Sequence, residues 1–341
     1  MNLSQEKVKV ALWLAGALIF LCGCQKNSLE GMEKNLAQVT KKAGPSVVCI
    51  VAKNESSGKV TIGSGVILKE GYILTTENIL DNVDNITVKL QNGQVITNNK
   101  VKKIFCDFET NISLLQVEAN DLTPVEIMEG EEIPNGSLGI ALGNTSYSKG
   151  LQVSLGTVSH SWIGGTDAYD ENLLIWNGAK VPYPGGTPVF NSKGELIGIT
   201  DGKPKEEDGV MFMVPATTCL QVSEVLKKDG EVKRGWIGIF SERRCGESPG
   251  GEVESGILVT DIVKESPAFK SGLKAGDRII KFNGEPVENS AQLRKLVSAS
   301  QVGSQVTLSI IRSGELKERE VVIKTEEYVG LGMRRCPHRS I

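Results

Sequence analysis

Two histidines, His160 and His338, are the whole imidazole supply of this 341-residue chain, so a mechanism that needs a side-chain base near neutral pH has little to draw on. His160, in GTVSHSW, reads as a surface or loop residue, and His338 lies close to the end of the sequence. Cysteine is the next reactive type. Cys49 in SVVCIVA and Cys219 in ATTCLQV stand among apolar neighbours and read as core thiols. With Cys106, Cys245 and Cys336 they make an odd number at irregular spacing and without a C-x-x-C pair, the pattern of neither a zinc site nor a disulfide framework. No metal and no cofactor is expected. Lys+Arg 38 against Asp+Glu 41 gives a formal charge of -3, without the basic excess that phosphate-backbone binding needs, so nucleic acid is excluded as a partner.

The remaining two cysteines close an apolar run. Lys7 and Lys9 precede Val10 to Leu21 (VALWLAGALIFL), the length of a signal-peptide core and well short of the roughly 20 residues of a spanning helix. The Leu21-Cys22-Gly23-Cys24 that follows resembles the bacterial lipobox, which implies cleavage after residue 23 and acylation of Cys24. That gives a lipid-anchored protein facing the periplasm. By resemblance to enterobacterial lipoproteins, Gln25 at the second mature position favours the outer membrane over the inner.

The length exceeds the roughly 250 residues at which one core stops growing, so about two domains are expected. After a linker over 24–35, the segment LEGMEKNLAQVTKKAG (29–44) reads as an amphipathic helix broken by Gly44-Pro45. From there to Pro215 short β-branched runs alternate with Gly, Asn and Pro: SVVCIVA, TIGSGVIL, GYILTT, ITVKL, ISLLQV, SLGIALG, LQVSLGTVSH, LLIWN, GELIGIT and GVMFMVP. Such punctuation indicates an all-β barrel or sandwich. A helix over 215–228 ends at Asp229-Gly230. A smaller α+β unit over 229–325 then has strands, a short helix at 266–272 and a longer one at 289–300, where Leu293, Leu296 and Val297 share a face. The tail, 326–341, shows no periodicity and reads as extended or loosely attached.

In this order GSGVIL, YILTTENIL, CDFETNISLLQV, IALGN, SLGTVS, PYPGGTPVFNSKGELIGIT, GVMFMVPA and RGWIGI resemble the HtrA/Deg family. The resemblance implies a mainly β fold: a trypsin-like double β-barrel over 36–228 followed by an α+β PDZ domain over 229–325. Serine proteases of that fold use a hydroxyl nucleophile, an imidazole base, a carboxylate that holds the imidazole and backbone N–H donors for the oxyanion. Motif by motif, the resemblance puts Asn78 of ILTTENI at the histidine, Asn111 of DFETNISLL at the acid and Gly185 of YPGGTPV at the serine. Tyr183 stands where a glycine is usual, and Pro182 and Pro184 each lack a backbone donor. Losing a triad as a unit costs on the order of a million-fold in rate. The sequence therefore implies a chain that is not an enzyme, with no catalytic residues and with degenerate triad positions Asn78, Asn111 and Gly185.

The second unit keeps its binding motif. Arg234-Gly235-Trp236-Ile237-Gly238-Ile239 resembles the carboxylate-binding loop of HtrA-type PDZ domains, where a peptide C-terminus adds as an edge strand. The implied peptide-binding residues are Gly235, Trp236, Ile237, Gly238 and Ile239, with Leu293 and Val297 as pocket wall. The function so implied is binding of protein C-termini or exposed strands by a scaffold, sensor or regulator in envelope protein quality control. An active HtrA/Deg relative is a further implied partner, through a homo- or hetero-trimer. The alternatives are an active serine endopeptidase with a non-standard site and a holdase chaperone.

Overall fold

In a computed structural model the protein is described over residues 29–130, 132–144, 150–160, 173–179, 185–202, 210–241, 256–315 and 317–327. The segment with Cys24, where acylation is expected, the residues 180–184 and the tail beyond 327 lie outside the described residues.

Strands β1 (Val47–Lys53), β2 (Val60–Ile67), β3 (Tyr72–Thr76), β4 (Asn85–Lys89), β5 (Val95–Ile96), β6 (Val101–Asp107) and β7 (Ile112–Val117) form one antiparallel sheet in the order β5-β4-β1-β2-β3-β7-β6. The β-branched residues that made these runs legible fill its core: Val48, Ile50, Ile67, Ile73, Ile86, Val88 and Ile96 are nearly or fully buried. A one-turn helix, α2 (Glu77–Leu80), follows β3 directly. Strands β8 (Ser137–Asn144), β9 (Leu151–His160), β10 (Leu174–Gly178), β11 (Pro188–Phe190), β12 (Leu196–Thr200) and β13 (Val210–Pro215) close into a barrel in the order β10-β13-β12-β11-β8-β9. Its interior holds Trp176, whose Nε1 donates to the Gly139 carbonyl.

A third apolar cluster joins the two β units. It contains Val47, Val66, Leu74 and Leu114 from the first sheet, Ile140, Phe190 and Ile199 from the barrel, and residues of two helices. Helix α1 (29–43) contributes Val39 and Ala43 and stops at Pro45, as the sequence required. Helix α3 (Ala216–Asp229) buries Ala216, Cys219, Val222, Ser223 and Leu226 on one face and ends on left-handed Gly230, whose N–H returns to the Leu226 carbonyl. No helix among the described residues is long and apolar enough to cross a membrane.

The second unit has strands β14 (Gly235–Trp236), β15 (Ile239–Ser241), β16 (Ile257–Ile262), β17 (Arg278–Phe282), β18 (Glu285–Pro286), β19 (Gln305–Ile311), β20 (Glu318–Lys324) and β21 (Glu326–Glu327). The main sheet runs β15-β16-β17-β19-β20, with β15 at its edge. Helix α4 (Pro267–Lys270) is capped by Ser266, whose hydroxyl accepts from the Phe269 N–H, and α5 (Ser290–Ala299) by Asn289, which accepts from the Gln292 N–H. The first residues of the tail differ from expectation: Glu326 and Glu327 pair with Trp236 and Gly235, because the backbone of β14 otherwise lacks a partner strand.

One buried charge organises this unit. Asp277 is 1% exposed and receives Arg312 through Nε and Nη2, each at 2.8 Å, and the Lys274 N–H at 2.8 Å. Burial alone would raise the carboxyl pKa, but Arg312 and the Lys274 amide outweigh it and hold the pKa below the ordinary value. Since the folded pKa is depressed, the pair's contribution is present above the unfolded pKa of about 3.9 and is lost as pH falls through the folded value. Arg312→Met is expected to cost about 3 kcal/mol at pH 7 by leaving a buried carboxylate without its cation. In calorimetric melts of the full chain that deficit should shrink as pH is lowered below about 4.

Candidate functional site

The turn between β6 and β7 sets the geometry of the cleft between the two β units. Asn111 occupies it with a positive φ of 54°, a conformation that Asn tolerates better than most residues. Its side chain is buried, its Nδ2 donates to the Asp201 carbonyl at 2.7 Å, and its Oδ1 accepts from the Asn78 N–H at 3.3 Å. The Asn111 carbonyl in turn accepts from the Glu77 N–H at 3.1 Å, so the turn fixes the start of α2. Gly185 enters from the barrel side: its carbonyl accepts from the Ser64 N–H at 3.0 Å. Gly202 lies between the two, since a Cβ placed on it would stand 2.4 Å from the Gly185 Cα and 3.0 Å from Asn78 Nδ2. The structure thus brings Asn78, Asn111 and Gly185 together, from sequence positions more than 30 residues apart.

Sequence reasoning missed Thr76, Asp201 and Gly202 in this cleft. A Cβ on Gly185 would be 3.1 Å from Thr76 Oγ1, and Thr76 Oγ1 and Asn78 Oδ1 are buried without a hydrogen-bond partner. Neighbouring hydroxyls are engaged: Thr75 donates to the Ser64 carbonyl, and Ser64 Oγ lies between the backbone N and O of Asn144. Burial raises the pKa of the Cys49 and Cys219 thiols, which disfavours the nucleophilic thiolate at both. Among the described residues no group of three or more His, Cys, Asp or Glu is placed to hold a metal ion.

Arg234, which the sequence marked only as the head of the loop motif, links this cleft to the second unit. Its Nη1 and Nη2 each lie 2.6 Å from an Asp107 carboxylate oxygen, and its Nε lies 2.9 Å from Glu109. Burial would lower the Arg234 pKa, but the two acids more than offset that and raise it. Asp107 also receives the Thr110 hydroxyl, so the clamp holds the turn that carries Asn111. No local pattern announces a contact between residues 127 positions apart.

In the second unit the segment Gly235–Ile239 leaves two backbone donors unengaged among the described residues. The Ile237 carbonyl accepts from the Ala268 N–H and the Gly238 carbonyl from the Val263 N–H, both at 2.9 Å. The N–H groups of Ile237 and Gly238 find no acceptor among the described residues. Gly238 has φ 80°, and a Cβ there would stand 2.3 Å from the Ser266 Cβ, so only glycine lets the loop lie so close to α4. Since Gly238 bonds across to β16, the alternation of an antiparallel pair turns the Ile239 backbone groups toward the open edge of β15. The loop abuts the end of α5: a Cβ on Gly235 would be 2.5 Å from the Val297 carbonyl. Ile237, Leu293 and Val297 are buried in the unit's core, and Ile239 and Leu296 pack half-buried against it. Trp236 is half-buried beside Gly238.

Comparison with known proteins agrees with this division. The Trypsin-like peptidase domain family matches residues 63–199 and the PDZ domain family residues 235–323. A probable periplasmic serine endoprotease, DegP-like, of Pseudomonas putida is 32% identical over 275 residues, 77% of this chain and 56% of the relative. The serine endoprotease DegS of Haemophilus influenzae is 29% identical over 339 residues, 92% of this chain and 96% of the relative. The chain thus spans about half the length of the DegP-like relatives it matches. Among solved structures, the HtrA-type protease AlgW with a tripeptide superposes with a TM-score of 0.75 at 23% identity, over 86% of this chain and 97% of that one. A serine endoprotease from Yersinia pestis gives 0.70 at 26% identity, over 86% and 98%. These findings overturn the expectation that the chain is not an enzyme: its relatives are named serine endoproteases, and its structural neighbours are HtrA proteases. With a trypsin-like pair of β units leading into a PDZ domain, and with relatives of this kind, the chain belongs to the HtrA/Deg family.

Proposed function

We propose that the chain captures the C-termini or exposed strands of other proteins at its PDZ unit and presents them to the cleft of the paired β units, as an HtrA/Deg-type protein of the bacterial envelope. The observation that carries this is the pair of unengaged amides at Ile237 and Gly238 beside the open edge of β15. A terminal carboxylate meets such donors with charge-assisted hydrogen bonds, and the peptide backbone continues the sheet. Gly235, Trp236 and Ile239 shape the loop, and Leu293 and Val297 line the pocket for the last side chain. The periplasmic naming of the DegP-like relatives supports an envelope location. Within it, acylation of Cys24 anchors the chain, in the outer membrane in preference to the inner.

The names of the relatives carry endopeptidase action to this chain as a proposal. The residues in the cleft limit its form. An amide such as Asn78 takes no proton at neutral pH, and Gly185 offers no hydroxyl, so hydrolysis here proceeds without a serine–histidine pair. It is slow for that reason, and the capture step is the part of the function that these residues equip best. Assembly is into a homo- or hetero-trimer, and a hetero-trimer with a relative that keeps the serine–histidine pair would supply a complete cleft for the captured protein.

Three outcomes are expected. A fluorescein-labelled decapeptide with a free C-terminal valine binds the full chain at least about tenfold more tightly than its amidated form in anisotropy titrations, and Gly238→Ala weakens the free-acid peptide by a similar factor; equal affinity of the acid and the amide would overturn the capture reading. β-Casein is cut by the purified chain more slowly than by a DegP-like relative under the same conditions, and a fluorophosphonate labels no serine; robust labelling would assign a nucleophile elsewhere. Palmitate labelling of the protein in cells is lost in Cys24→Ser, and persistence of the label would remove the anchor.

A further inference from the structure

Helix α5, which borders the proposed peptide groove, carries Arg294 between two pocket residues, Leu293 and Val297, that are 2% and 7% exposed. Arg294 is itself half-buried, its Nη1 is enclosed, and it finds no hydrogen-bond partner among the described residues. An enclosed guanidinium nitrogen without an acceptor has lost hydration that nothing replaces, which is costly for a charged group. The sequence of α5, SAQLRKLVSA, contains Arg294 and Lys295 and no acid, so the helix cannot supply the missing acceptor and presents an uncompensated positive charge beside the groove. By contrast Arg234 and Arg312, also half-buried, each hold a carboxylate. Arg294, whose Nη1 has no acceptor among the described residues, lies on the helix that flanks the proposed ligand site.

We propose that Arg294 receives an acidic side chain of the captured peptide, so that the PDZ unit selects C-terminal segments with an Asp or Glu among the residues just before the last. The inference rests on the reading of the Gly235–Ile239 loop as a carboxylate-binding site. The planar fork of Arg suits a carboxylate in two-point contact, which a lysine at the same place provides less well. On helical geometry Arg294 stands one position from Leu293 and three from Val297, so a side chain upstream of the terminal residue meets it while the terminal side chain fills the pocket.

The test uses the full chain and a set of fluorescein-labelled decapeptides with a C-terminal valine. One is neutral; the others carry a single Glu, or Gln as control, at each of the four positions before the last. At least one Glu position is expected to bind about tenfold tighter than its Gln control, equivalent to about 1.4 kcal/mol, and this ratio should fall as salt is raised. The Glu-to-Gln ratio should drop to about one in Arg294→Gln and to an intermediate value in Arg294→Lys, with thermal melts reporting that both variants fold. No Glu position with a ratio above two, or an unchanged ratio in Arg294→Gln, would overturn the inference while leaving capture intact. Equal weakening of Glu and Gln peptides by Arg294→Gln also overturns it, since that assigns Arg294 to the terminal carboxylate or to packing. Failure of the capture reading is distinct: it shows as equal binding of the acid and amide forms of the neutral peptide.

Discussion

The bidentate pair between Arg234 and Asp107, closed by Glu109, is the constraint on which both functional regions depend. Asp107 is 5% exposed and Arg234 is 14% exposed, so the pair is largely withdrawn from water, and removing either partner would leave a desolvated charge at a cost of several kcal/mol. Arg234 directly precedes the loop with the unengaged amides, and Asp107 stands four residues before Asn111. A single guanidinium therefore fixes the entry of the PDZ unit and the turn that builds the cleft. Short strands and a one-turn helix could not hold Asn78 and Asn111 in register unaided, and the clamp supplies what local hydrogen bonding does not.

Both regions are marked by polar groups without partners among the described residues. Buried donors and acceptors are nearly always satisfied in folded proteins, so an orphan is informative. In the cleft the orphans include Thr76 Oγ1 and Asn78 Oδ1, and a Cβ on Gly185 would stand 3.1 Å from the first. In the PDZ unit they are two backbone amides and one guanidinium nitrogen, and all three suit a carboxylate-bearing peptide. The Cys49 and Cys219 thiols, by contrast, are buried, and burial raises their pKa values.

Much of the fold was legible because its elements announce themselves locally. Gly44-Pro45 ended α1, Asp229-Gly230 ended α3, and the apolar face of Leu293 and Val297 marked α5. The juxtaposition of Asn78, Asn111 and Gly185 followed from motif resemblance, and the structure adds the hydrogen bond from the Asn78 N–H to Asn111 Oδ1 and those that tie Asn111 to Glu77 and Gly185 to Ser64. Long-range pairings left no trace in the sequence: Arg234 with Asp107, β14 with β21, and Asn111 Nδ2 with the Asp201 carbonyl are set by how distant segments pack. The expectation of a chain that is not an enzyme failed for a different reason. It rested on three side chains, whereas the class of a protein is carried by the whole barrel pair, and its relatives in that class are endoproteases.

The pairing of Glu326 and Glu327 with Trp236 and Gly235 has a practical side. Residue 327 stands beside Gly235, at the mouth of the loop that offers its amides. A fluorescent protein joined directly after residue 327 would crowd that mouth.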